Sequence, residues 1–147
     1  MLKAVGVIVI ITVCTVFGFR MSERIRARYK TLAEFCLLIG EASDRIRMGE
    51  ELLRIFESKQ ARELVLFDQL APTIKGEGLN KRDRELLEKF FASLGMGDAP
   101  SQIRRCETYL ELLKKREEQA EQQAKAKASL YGKLGFFAGL FIAVMVV

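Results

Sequence analysis

The chain has 147 residues, enough for one domain, and carries a formal net charge of +5. It contains no histidine, so most metal sites and most serine or cysteine catalytic arrangements lack their usual ligand or base. The three cysteines, Cys14, Cys36 and Cys106, have no metal-ligand spacing, which predicts small buried side chains rather than a zinc site or a disulfide framework. We therefore expect no cofactor, no metal and no catalytic residue.

The first apolar segment covers residues 2–19 and has one charge, Lys3, at its outer end. About 18 residues at about 1.5 Å each span roughly 27 Å, close to the thickness of a hydrocarbon core. A secretory signal peptide would need small residues at a cleavage site, whereas here Phe19 is followed directly by Arg20. The sequence predicts an uncleaved transmembrane anchor over residues 1–19.

A basic run follows this anchor and contains a single acid, Glu23. Its membrane-proximal cations are Arg20, Arg24, Arg26, Arg28 and Lys30. By the positive-inside rule, they hold this side of the anchor in the cytoplasm. They could also bind anionic lipid headgroups, at about 1 kcal/mol per residue near the surface. Nucleic-acid binding is not expected, because the run lies against the bilayer with only Tyr29 as a nearby aromatic residue.

The apolar spacing of the next region is helical, and no strand pattern is recognised. It predicts a first helix over residues 29–49, a short second helix around residues 52–56 and a third over residues 62–70, ended by Pro72. Asn80 can cap a fourth helix, with an acid, Asp83, in its first turn, where the helix dipole favours negative charge.

The fifth helix begins after Asp98, a suitable cap, and keeps an apolar seam that continues as Ala120, Ala124 and Ala128. With no Gly or Pro over residues 114–127, it should extend as a stalk toward the membrane. A coiled-coil homo-oligomer is the alternative interpretation of the seam. The fold predicted is all-α: a bundle of about five helices with a long C-terminal helix, flanked by transmembrane segments.

Three carboxylates of the first helix, Glu34, Glu41 and Asp44, are candidate contacts for a basic partner. Solvated helix surface is the ordinary explanation for such residues. A paired-acid site of an enzyme is a further alternative, and it would require an enclosed polar pocket around these carboxylates.

The second apolar segment, residues 134–147, covers only about 21 Å, which is short for a full span, and a half-inserted hairpin is the alternative to a transmembrane helix. Including Tyr131 and Lys133 would lengthen it, since Tyr suits the interface and Lys can snorkel. Gly135 and Gly139 form a GxxxG pair that would let another helix approach closely, with chance occurrence as the alternative.

The cations before this segment are Lys125, Lys127 and Lys133, so both membrane segments carry their basic flank on the same side. We expect three regions: an anchor at residues 1–19, a cytoplasmic helical domain at residues 20–133 and a transmembrane segment at residues 134–147.

Several motifs resemble the stage III sporulation protein AB family of endospore-forming bacteria. They are the MLK opening with an anchor ending in Gly-Phe and a basic run, IRMG at residues 46–49, FFASLG at 90–95, QIR at 102–104 and LGFFAGL at 134–140. One departure is Glu50-Glu51-Leu52-Leu53, where the family usually has Thr-Pro-Leu; another is Ser43, where an acid is expected.

The resemblance implies a non-enzymatic role in the channel complex that links mother cell and forespore. The family's soluble domain is similar to the helical domains of the inner-membrane platform protein of type II secretion and type IV pilus machines. The implied partners are membrane lipids, other channel subunits and a cytoplasmic hexameric ATPase resembling stage III sporulation protein AA. The implied location is the outer forespore membrane, with the domain in the mother-cell cytoplasm. A membrane scaffold unrelated to sporulation is the alternative.

Overall fold

The computed structural model describes residues 2–67 and 72–146, and the predicted all-α fold is confirmed. The helices are α1 (Leu2–Arg47), α2 (Leu52–Ile55), α3 (Lys59–Leu64), α4 (Lys81–Ala92), α5 (Ala99–Gln123) and α6 (Ser129–Val146), with a π-helical segment (Ala124–Ala128) between the last two. Two short strands, β1 (Val65–Phe67) and β2 (Pro72–Ile74), form an antiparallel pair.

The predicted third helix over residues 62–70 is wrong, and so is the expectation that the chain has no strand. Helix α3 ends at Leu64, and Val65 pairs with Ile74 in the antiparallel ladder. Val65 and Phe67 are β-branched and aromatic residues that suit a half-buried strand, and Pro72 stands at the start of β2, where a missing N–H is tolerated. The rest of the predicted helix, residues 68–70, lies outside the described residues.

Two long helical rods run the length of the molecule. Helix α1 continues without a break from the apolar segment through the basic run and has 46 residues, about 69 Å. The second rod passes from α5 through the π-helical segment into α6, with 47 residues from Ala99 to Met145. The expected stop of the first helix is confirmed, since α1 ends at Arg47 and Gly49 adopts a positive φ of 83°.

The bundle core lies where α1, α4 and α5 meet. Its fully buried large side chains include Leu32, Phe35, Ile39, Leu87, Phe90 and Leu113. The Phe90 ring packs edge-to-face on Phe91, with ring centroids 5.0 Å apart. The seam of α5 is buried within the same chain, because Cys106, Leu113 and Ala120 are all at most 1% exposed. At these three positions the seam is therefore occupied by side chains of the same chain.

Both ends of α4 are held by specific hydrogen bonds. At its start, the predicted cap is confirmed: the Asp83 backbone N–H donates to the Asn80 side-chain oxygen at 2.8 Å, within a capping box. At its end, the Arg105 guanidinium donates to the carbonyl oxygens of Ser93 and Met96. The Arg105 bonds join the end of α4 to α5.

The apolar ends differ from the bundle core because their large side chains are exposed. Val13, Phe17, Phe137 and Phe141 are each more than 60% exposed. In the described part of the chain, two helices are long and apolar enough to cross a membrane. Large apolar side chains exposed in rows are uncommon on soluble surfaces and ordinary on lipid-facing ones.

Candidate functional site

The two apolar ends pack against each other as an antiparallel helix pair. At their contact, a Cβ added to Gly18 would lie 2.6 Å from the Tyr131 carbonyl oxygen and 3.2 Å from the Gly135 Cα. A Cβ added to Gly135 would lie 2.7 Å from the Cys14 carbonyl oxygen. The backbones therefore touch directly, which only glycine permits at these two positions.

The GxxxG pair of α6 thus faces α1 of the same chain. Gly139 continues the contact, because a Cβ there would lie 3.0 Å from the Ile11 Cα. Sequence reasoning did not single out Gly18, the partner of Gly135. The sequence does contain a pattern that indicates this contact: Cys14, Gly18 and Ser22 are spaced four residues apart and form a stripe of small side chains on α1.

The Gly18–Gly135 contact sets the relative height of the two apolar segments. Phe19 and Leu134, the last apolar residues before the charged regions, stand at the same level of the pair because each is next to a contacting glycine. Exposed cations follow this level on both helices, and we call them the cationic belt. The belt consists of Arg20, Arg24, Arg26, Lys30, Lys125, Lys127 and Lys133.

Arg28 belongs to the same basic run but points into the bundle. Its Nε donates to Asp83 Oδ2 at 2.7 Å and its Nη2 to Oδ1 at 3.3 Å, while Nη1 donates to the Gln123 side chain at 3.1 Å. Arg116 of α5 adds a second guanidinium 3.5 Å from Asp83, whose side chain is fully buried. A buried carboxylate needs such compensation, so Arg28 joins α1, α4 and α5 rather than facing lipid.

The three candidate partner-contact acids are all exposed on α1. Exposure is expected both for a partner contact and for ordinary solvated helix surface. Glu41 and Asp44 line a groove of about 890 Å³ between α1 and α5, and Glu34 lies outside its lining. Glu41 stands 3.8 Å from Arg45, which in turn donates to Glu50 at 2.7 Å. The structure therefore brings two of the three acids to one surface feature.

The groove has an apolar floor and charged edges. Cys36, Gly40 and Leu110 line it, and two unusually exposed apolar side chains belong to it: Leu37 is 69% exposed and Met48 is 80% exposed. On the α5 side the edge carries Lys114 and Glu117. Sequence reasoning missed the groove, because it is formed by α1 and α5, which are far apart in the chain, together with Gln60 of α3.

Burial, followed by the nearby Glu117 carboxylate, raises the pKa of the Cys36 thiol from 9.0 to about 12. Desolvation also raises the pKa of Cys106, chiefly because of its position in the core. These thiols remain protonated at neutral pH, so neither provides a reactive thiolate. Over residues 2–67 and 72–146, no group of three or more Cys, Asp or Glu side chains could hold a metal ion.

No curated protein and no solved structure matches the chain. The similarity to the platform protein of secretion machines therefore stays an expectation. A family model does match: stage III sporulation protein AB, over residues 65–147, just over half of the chain. The matched part contains the FFASLG, QIR and LGFFAGL motifs, while the departures around Ser43 and residues 50–53 fall before it. The chain is thus a sporulation protein that belongs to the stage III sporulation protein AB family.

Proposed function

We propose that this protein is a non-enzymatic membrane platform subunit of the sporulation channel complex, and that its cytoplasmic bundle docks the complex's hexameric ATPase. One observation carries the proposal: two unbroken helical rods join the apolar ends to the bundle core. A force or displacement applied to the bundle is transmitted by such rods, because no flexible linker separates the two regions.

The membrane location is proposed from the apolar helix pair and the cationic belt. The belt places positive charge from both ends of the chain on the same side of the apolar pair, within about 12–15 Å along each helix. Anionic headgroups attract such residues, and the positive-inside rule puts this side in the cytoplasm. For a sporulation protein of this family, we propose the outer forespore membrane, with the bundle in the mother-cell cytoplasm and other channel subunits around the apolar pair.

The docking surface is proposed on the α1–α5 side of the bundle. Glu41 and Asp44 are exposed there beside the solvent-exposed apolar side chains of Leu37 and Met48. Exposed acids next to exposed apolar groups suit a basic protein partner, because charge steers the encounter and apolar burial adds affinity.

An enzyme built on these carboxylates is not favoured. Its active site would need an enclosed polar pocket, whereas Glu34, Glu41 and Asp44 are exposed to solvent. A scaffold unrelated to sporulation is not favoured either, because the family match concerns a sporulation protein.

The docking proposal is tested by co-immunoprecipitation of the ATPase from sporulating cells. Simultaneous Glu34→Lys, Glu41→Lys and Asp44→Lys changes should abolish recovery of the ATPase. The matched control reverses Glu85 and Glu88 on α4, which are exposed outside the groove. Recovery that is undiminished in the triple variant would contradict docking on this surface.

A further inference from the structure

We propose that the groove between α1 and α5 binds an amphipathic helix of the partner ATPase, with an apolar stripe flanked by Lys or Arg residues. This inference rests on the proposed function and adds to it the kind of segment that is recognised. It is carried by the spacing of the exposed residues on α1, the shape of the groove and the distribution of its charges.

The α1 side of the groove presents one stripe. Leu37, Glu41 and Asp44 follow each other at spacings of four and three residues on one face of α1, and Met48 continues the row in the turn just after the helix, where its N–H donates to the Asp44 carbonyl oxygen at 3.1 Å. The stripe is about 16 Å long, equal to about three helical turns. The two ends, Leu37 and Met48, are the most exposed large apolar side chains among the bundle residues whose side chains the structure describes, and the two central positions are acids.

Gly40 gives the groove its depth. It lies on α1 opposite Leu110, and a Cβ added to it would meet only the Leu110 Cδ2 atom, at 3.9 Å. That distance is an ordinary van der Waals contact, so alanine would fit without strain. A larger side chain would enter the space that an incoming apolar side chain would occupy.

The charges of the groove favour a basic partner on its α1 side. The only cation of that edge, Arg45, already bonds Glu50 at 2.7 Å, and within the described residues Asp44 is in no ion pair. A Lys or Arg on the partner could therefore pair with Asp44 without displacing an existing bond, and it would share Glu41 with Arg45, which lies 3.8 Å away. The opposite edge carries one cation, Lys114, and one anion, Glu117, so it does not favour a partner of either charge.

Lipid is a poor fit for this groove. Gly40 lies 22 residues beyond Gly18 on an unbroken helix, about 33 Å from the contact that marks the end of the apolar pair. That distance exceeds the reach of headgroups at the surface, and acids would repel anionic lipid. A groove between two packed helices suits an amphipathic helix, whereas an added strand needs a free sheet edge.

The experiment measures binding of the purified ATPase to the full-length protein in lipid nanodiscs. Gly40→Leu should weaken binding about tenfold or more by filling the groove, and Gly40→Ala should change it by less than about twofold. Circular dichroism melting of both variants checks that the bundle remains folded. The Glu41→Lys and Asp44→Lys pair should weaken binding about tenfold, and more at low salt than at high salt.

A photo-crosslinking amino acid in place of Met48 then identifies the segment that occupies the groove. A crosslink to a helix of the ATPase with Lys or Arg beside apolar residues supports the proposal. A crosslink to a second copy of this chain, or to an acidic or extended segment, overturns it. If folded Gly40→Leu binds the ATPase as well as the unaltered chain does, the ATPase does not bind in the groove, although it could still dock on another surface. If the unaltered chain does not bind the ATPase at all, the proposed platform function is wrong as well.

Discussion

The Arg28 guanidinium donates to the fully buried carboxylate of Asp83 at 2.7 Å, although the two residues are 55 positions apart. This bond connects the membrane-proximal part of α1 to the first turn of α4. Arg116 reaches the same carboxylate from α5. Three helices therefore converge on one carboxylate, next to the level at which the chain leaves the proposed membrane.

Asp83→Ala should lower the free energy of unfolding by about 2–3 kcal/mol, because it removes charge-assisted hydrogen bonds from the partly buried Arg28 guanidinium and part of the α4 cap. Chemical unfolding of the full-length protein in detergent measures the effect. The matched control is Arg26→Gln, two residues from Arg28 but exposed, with an expected change within about 0.5 kcal/mol. Equal stability of the two variants would show that the junction contributes no net stability.

Gly135→Val should separate the apolar helix pair, because its side chain would collide with the α1 backbone near Cys14. The expected cost is about 1–3 kcal/mol, typical of overpacking. Gly132→Val is the control, since a Cβ at Gly132 meets nothing within 4 Å. Thermal unfolding in detergent measures the difference between the two variants. An equal melting temperature for both would argue against the glycine contact.

The cationic belt should retain anionic lipid. Combined Arg24→Gln, Arg26→Gln and Lys127→Gln changes should weaken association with phosphatidylglycerol by about fivefold per residue, from about 1 kcal/mol each. The remaining belt cations preserve the orientation of the chain. Native mass spectrometry of protein purified with phosphatidylglycerol or phosphatidylcholine measures the retained lipid. The control neutralises Arg62, Lys81 and Lys115, which are exposed outside the belt. If the belt variant and the control lose the same amount of bound lipid, the belt is not the lipid-binding site.

Cys36 should be nearly inert to iodoacetamide in the folded protein, because a pKa of about 12 leaves roughly one thiol in ten thousand ionised at pH 8. Denaturation should restore ordinary reactivity. Since the folded pKa is raised, the stabilising contribution of the neutral thiol is present below about pH 9 and lost as pH rises toward 12. Mass spectrometry of alkylated protein in a Cys14→Ser, Cys106→Ser background measures the rate. Met48→Cys supplies an exposed control, and equal rates would contradict the burial of Cys36.

Much of the fold follows from residues that are close together in the chain. Helical spacing of apolar side chains predicts the helices of the bundle, and the capping pair Asn80 and Asp83 predicts the start of α4, because these interactions span three or four positions. The two apolar ends are visible in composition alone. The strand at Val65–Phe67 was missed, since a three-residue ladder depends on its partner strand rather than on its own periodicity.

What the sequence determined by itself was therefore an all-helical chain with apolar ends and a basic flank, since periodicity and composition are local properties. Only the tertiary structure decided that Arg28 turns inward to Asp83 while its neighbours stay exposed, and that Gly135 meets Gly18. It also decided that Glu41 and Asp44 share a groove with α5 while Glu34 does not. Each of these depends on which distant segments the folded backbone brings together, and the pattern along a single helix does not contain that information.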